Sequence, residues 1–192
     1  MSKKHLINEL SRADYITLLA IFLVTNAFWL AWHQQYNLAV AVTFVSMFLD
    51  YLDGYVARRH GGSDYGKVLD SLYDILGWVL FPSLMINIQA DWAWWSISIT
   101  TIFVMASALR LSRFTVKGYN ESDSKKHYIG MPVSYSRYAL LIFPFANGSI
   151  SLAIVAFMIP LMISSKLFRK SPPLLMQVNL LYAAIYLWLY IR

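Results

Sequence analysis

The sequence predicts an all-α fold, a polytopic bundle of transmembrane helices in one integral membrane domain, and three observations carry that prediction. Hydrophobic residues make up 58% of the 192 and charged residues only 14%, far from soluble-domain averages. Apolar runs of about 18 to 25 residues recur along the chain, the length that crosses the hydrocarbon core of a bilayer. The Lys and Arg residues fall between these runs. The net charge of +6 therefore reports membrane orientation, and no basic face interleaved with stacking aromatics points to nucleic acid.

The opening MSKKHLINELSRADY lacks an apolar core followed by a small-residue cleavage site, so no removable signal peptide is expected. Leu6, Ile7 and Leu10 recur at helical spacing, which makes residues 1–14 an interfacial segment. Spans are then expected at 15–33, 36–58, 67–89, 92–114, 131–147, 149–166 and 174–191. The fifth is short, contains Pro144 and closes at the turn dipeptide Asn147-Gly148. If the spans alternate in direction, every Lys and Arg except Arg192 lies on one side. The positive-inside rule makes that side cytoplasmic, with the N-terminus inside and the C-terminus outside. The opposite turns HQQYN, QADWAWW and NGS are almost free of cations, and Trp92, Trp94 and Trp95 suit an interfacial belt. KGYNESDSKKH at 117–127, with Lys125, Lys126 and His127, is expected as a cytoplasmic loop. The chain has no cysteine, which excludes disulfides and thiolate metal sites, and its four histidines show no zinc-ligand spacing.

Four aspartates stand in or against these apolar runs, where an ionised carboxylate near the bilayer centre costs about 2.5–3.5 kcal/mol on insertion scales. Asp50 and Asp53 are at i and i+3 near the cytoplasmic end of the second span, and Asp70 and Asp74 are at i and i+4 at the start of the third. Each pair shares one helix face. The short RRHGGSDY connection makes the two helices antiparallel neighbours, so the four carboxylates converge at one depth. Hard oxygen ligands so close together call for Mg²⁺, Mn²⁺ or Ca²⁺ to compensate their charge. Two such ions serve phosphoryl transfer, while a carboxylate less committed to metal can act as base for an attacking hydroxyl. Gly54, Ala57 and Gly66 leave room on or near the same face for a ligand to approach the backbone, or for tight helix packing, and Arg58 could hold a phosphate.

The whole string, Asp50-x2-Asp53-Gly54-x2-Ala57-Arg58-x7-Gly66-x3-Asp70-x3-Asp74, resembles the signature of the CDP-alcohol phosphotransferase family at every fixed position. That resemblance implies a six-helix core, usually dimeric, whose polar cavity opens to the cytoplasm, with the helix at 174–191 an addition to it. Carried over to this chain, Asp50, Asp53, Asp70 and Asp74 look like ligands of two divalent cations and Asp74 like the general base. Asp53, Gly54, Ala57, Gly66 and Asp70 would accommodate the cytidine nucleotide, and Arg58 would touch its diphosphate.

ALRLSRFTV at 108–116, YIGMPVS at 128–134 and SSKLF at 164–168 resemble the bacterial integral-membrane phosphatidylserine synthases, a likeness running over roughly residues 12–170. It implies CDP-diacylglycerol as donor and L-serine as acceptor. Arg110, Arg113 and Arg137, with Ser134, are the candidates for holding the acceptor; positive-inside anchoring is the alternative for the arginines. Glycerol phosphate, inositol phosphate and choline remain alternative acceptors, the last because Tyr73 and Trp78 could enclose a quaternary ammonium, facing lipid being the other place for these two side chains. An ion-coupled transporter also buries aspartates, but it more often shows broken helices or repeated halves. Neither is visible in this sequence.

Overall fold

The computed structural model describes residues 9–118, 127–143, 148–169 and 174–191. In chain order the elements are α1 (Arg12–Trp32), α2 (Tyr36–His60), α3 (Gly66–Tyr73), a π-helical segment (Asp74–Leu80), α4 (Phe81–Gln89), α5 (Trp94–Lys117), β1 (His127–Ile129), a 3-10 turn (Val133–Ser136), α6 (Arg137–Leu141), α7 (Gly148–Ile163), β2 (Leu167–Arg169) and α8 (Leu174–Ile191). Among the described residues, four stretches are long and apolar enough to cross a membrane: Arg12–Trp32, Tyr36–His60, Gly66–Gln89 and Trp94–Val116. Shorter apolar helices follow at Gly148–Ile163 and Val178–Ile191. The all-α membrane fold expected from the sequence is therefore present. The chain divides into two compact units, Met1–Tyr73 with Leu174–Arg192, and Asp74–Pro173.

In the first unit, α1 starts three residues earlier than the expected span, because Ser11 and Asp14 form a reciprocal capping box at its N-terminus. Arg12–Asp14 thus belong to the helix, while residues 1–8 lie outside the described part of the chain. The buried face of α1 reads Ala13, Thr17, Ala20, Val24, Ala27 and Ala31, a stripe of small side chains that lets α2 approach closely. Its opposite face exposes Leu18, Leu19, Phe22 and Trp29, as a helix bathed in lipid would. Helix α8 packs on α2 in turn, with the Phe44 ring 5.7 Å from that of Tyr182 and 5.9 Å from that of Tyr186.

In the second unit, the π-helical turn precedes Pro82 in the first turn of α4. Proline has no N–H to offer the carbonyl of Trp78 four residues earlier, and the hydroxyl of Ser136 donates to that carbonyl instead. Asn87 joins α4 to α5 in a buried network, donating to Thr100 at 2.9 Å and accepting from Ser96 at 2.8 Å. Trp92, Trp94 and Trp95 are exposed around the turn that follows α4.

The expected fifth span differs from its prediction. Where a continuous helix over 131–147 is expected, the described residues hold the four-residue 3-10 turn and the five-residue α6. Five residues rise only about 7–8 Å, far short of a bilayer's hydrocarbon thickness. Pro132 sets the start of this segment in extended backbone, φ −62° and ψ 143°, and so delays the helix. Pro144 and Asn147 lie outside the described residues. A second feature without a sequence signal is the antiparallel pairing of β1 with β2, in the register Tyr128↔Phe168.

Candidate active site

The site is built from the C-terminal end of α2. Asp50 and Asp53 are one helical turn apart on α2, Asp70 stands on α3, and carboxylate oxygens of all three lie within 4.8 Å of one another. Asp53 is the buried member; Asp50 and Asp70 are more open. The donors are all hard oxygens, without imidazole or thiolate, and three carboxylates from two helices fit the ligand chemistry of Mg²⁺ or Mn²⁺. Asp74 is half-buried and begins the π-helical segment of the second unit.

The small residues sit where close approach matters. A Cβ on Gly66 would lie 2.8 Å from Oδ1 of Asp14, and a Cβ on Gly54 would lie 3.2 Å from Nη1 of Arg58, whose guanidinium folds back along α2. Ala57 is half-buried one residue before Arg58, which is exposed.

Three residues behind the cluster were not singled out by the motif. Thr17 of α1 donates its hydroxyl to Oδ2 of Asp53. Asp14, 1% exposed, accepts from Ser63 at 2.6 Å and from the Ser11 amide at 2.6 Å. Ser63 in turn accepts from the Gly66 amide at 3.0 Å, which ties the start of α3 to the start of α1. On the same connection, Tyr65 donates to Glu9 at 2.9 Å, an interaction that pushes its phenol above the usual range. The one sequence signal for this layer was Ser11-x2-Asp14, a capping-box pattern.

The acceptor candidates all belong to the second unit. Arg110, 4% exposed, lies over the rings of Phe114 and Tyr128, 5.3 and 5.2 Å from their centroids. Arg137, 3% exposed, lies 5.4 Å from the ring centroid of Tyr138. The Arg113 guanidinium donates to the carbonyls of Met162 at 2.7 Å and of Ile129, Ile163 and Ser164 at 3.2 Å, so it caps the end of α7 and fixes β1. Ser134 is half-buried on the 3-10 turn. Tyr73 is buried with its hydroxyl 2.9 Å from that of Ser46, and Trp78 is buried too. Neither faces lipid.

Fold and site together define an integral membrane protein with a carboxylate centre suited to divalent cations. The family model for CDP-alcohol phosphatidyltransferase matches residues 10–190, and the chain belongs to that family. The matched residues run into α8. Among curated relatives, the chain is 33% identical over 128 residues to the CDP-diacylglycerol–serine O-phosphatidyltransferase of Bacillus subtilis, covering 65% of this chain and 70% of the relative. It is 31% identical over 172 residues to the protein of the same name from Methanocaldococcus jannaschii, covering 83% and 74%. An archaetidylserine synthase of Methanothermobacter thermautotrophicus is 33% identical over 101 residues, covering 50% and 42%.

Proposed function

We propose that the protein transfers the phosphatidyl group of CDP-diacylglycerol to the hydroxyl of L-serine, forming phosphatidylserine and releasing CMP. The observation that carries the reading is the convergence of Asp50, Asp53 and Asp70 within 4.8 Å, inside a motif that matches the family. The activity for which the Bacillus and Methanocaldococcus relatives are named supports serine as the acceptor.

Asp50, Asp53 and Asp70, with Asp74, would hold two divalent cations, Mg²⁺ or Mn²⁺, with Ca²⁺ as a further candidate. Bound there, such ions neutralise charge on the transferring phosphoryl group and on the departing CMP oxygen. Asp74 takes the proton of the serine hydroxyl as the serine oxygen bonds to the phosphorus bearing diacylglycerol. The bond from that phosphorus to the CMP oxygen breaks, and its electron pair leaves with CMP. Asp53, Gly54, Ala57, Gly66 and Asp70 line the nucleotide's place and Arg58 meets its diphosphate. Arg110 and Arg137 pair with the serine carboxylate, with Ser134 nearby in sequence, and Arg113 supports them by fastening β1 and the end of α7.

The site faces the cytoplasm of a multi-pass protein of the cell membrane. Cation asymmetry supports that orientation, and the pairing of β1 with β2 supports it further. The segments before α6 and after α7 must lie at one membrane surface for those strands to meet. The working form is a homodimer, as the family resemblance implies. The test is CMP release by detergent-purified protein given CDP-diacylglycerol and Mn²⁺ or Mg²⁺, with serine, glycerol phosphate, inositol phosphate and choline supplied singly. Serine-dependent release is the expected result; release with another alcohol alone would reassign the acceptor, and none with any would overturn the reaction.

A further inference from the structure

We propose that Thr17 is a positioning residue of the metal centre, fixing from α1 the orientation of the Asp53 carboxylate on α2. The inference rests on the reading of Asp50, Asp53 and Asp70 as a divalent-metal site. Thr17 is 3% exposed and Asp53 4%, so the hydrogen bond between them is sealed from water. The terminal torsion of an aspartate is broad, and its own rotamer does not settle which way the carboxylate plane faces. A neighbouring donor has to settle it. The β-branched side chain of Thr17 is stiff and therefore suited to that task.

Packing does not require the hydroxyl. Apart from Asp14 of the capping box, the other buried residues of α1 are alanines and a valine, and valine has nearly the shape of threonine. Nor does the hydroxyl lack an alternative acceptor, since the carbonyl of Ala13 lies 3.2 Å away in the same helix. Of the two acceptors, the Asp53 carboxylate is the nearer to the Thr17 hydroxyl and the one that can carry charge. Partners of metal-bound carboxylates act in this way, and removing one weakens metal affinity about 10- to 100-fold.

The test compares Thr17→Val, which keeps the shape and loses the donor, with Thr17→Ser, which keeps the donor. Mn²⁺ binding to the full chain in detergent, without substrate, is read from loss of the free-ion paramagnetic resonance signal, alongside thermal unfolding of each variant. Thr17→Val is expected to bind Mn²⁺ about tenfold or more weakly, and Thr17→Ser within roughly threefold of the parent. The Mn²⁺ concentration needed for half-maximal CMP release should shift in parallel. Should Thr17→Val fail to fold, Thr17→Ala carries the same comparison on a face already rich in alanine. Parental affinity in the donor-less variant, or equal weakening in Thr17→Ser, overturns the inference alone, provided that Asp70→Ala has lost binding. Absence of Mn²⁺ binding by the parent overturns the metal-centre reading and this inference with it.

Discussion

The hydroxyl of Ser136 donates to the main-chain carbonyl of Trp78, four residues before Pro82. A proline at that position cannot supply the α-helical bond, and a buried carbonyl left without a donor costs about 1–3 kcal/mol. The side chain on the 3-10 turn thus completes the main chain of a neighbouring helix.

Ser136→Ala should therefore destabilise the protein by about 1–3 kcal/mol in reversible detergent unfolding. In a Pro82→Ala background, where residue 82 regains its N–H, the same change should cost at least about 0.5 kcal/mol less. Equal losses in both backgrounds would separate Ser136 from the proline.

Chelation with EDTA should abolish CMP release and added Mn²⁺ or Mg²⁺ should restore it. Asp50→Ala and Asp70→Ala should each weaken Mn²⁺ binding at least about tenfold, because each removes one hard oxygen ligand from a compact set. Matching titrations for parent and both variants would dispose of the centre.

Asp74→Asn should lower CMP release by about 10²- to 10⁴-fold, the usual contribution of a positioned base. Binding of CDP-diacylglycerol should stay close to the parent's, since the amide keeps the shape. Unchanged turnover would move the base role to another group.

Arg110→Lys and Arg113→Lys should part company. The first should raise the KM for serine with little change in melting temperature. The second should lower the melting temperature, because a lysine cannot span four carbonyls held by one planar fork. A selective serine effect in Arg113→Lys would give that residue a direct part in binding.

Gly130→Ala should be among the more destabilising single changes in the second unit. Its φ is +81°, a region that alanine adopts with strain, and a Cβ there would collide with the carbonyl of Met162 and with Nη2 of Arg113. Thermal unfolding should show a clear loss, while an unchanged melting temperature would mean that α7 shifts to make room.

The long helices were legible because length and hydropathy alone decide them: the expected 36–58 and 67–89 correspond to Tyr36–His60 and Gly66–Gln89. Three of the four motif aspartates were placed together by helical spacing and one short turn. What escaped had weaker or non-local signals. The β1–β2 pair consists of three residues a strand, too few to show an alternation, and joins positions about 40 apart. The break in the expected fifth span follows from Gly130 and Pro132, which a hydropathy window averages away. Thr17 and Asp14 matter through partners on α2 and on the connection to α3, and no local pattern in α1 announces those partners.

The packing of α8 on α2 bears on how the protein is made. The helix that carries Asp50 and Asp53 leaves the ribosome before α8, so Phe44 on its flank meets Tyr182 and Tyr186 only after residues 74–173 have been synthesised. Until then that flank must be shielded by lipid or by the insertion machinery. The packing of the helix that carries Asp50 and Asp53 is thus completed by a segment translated well after it.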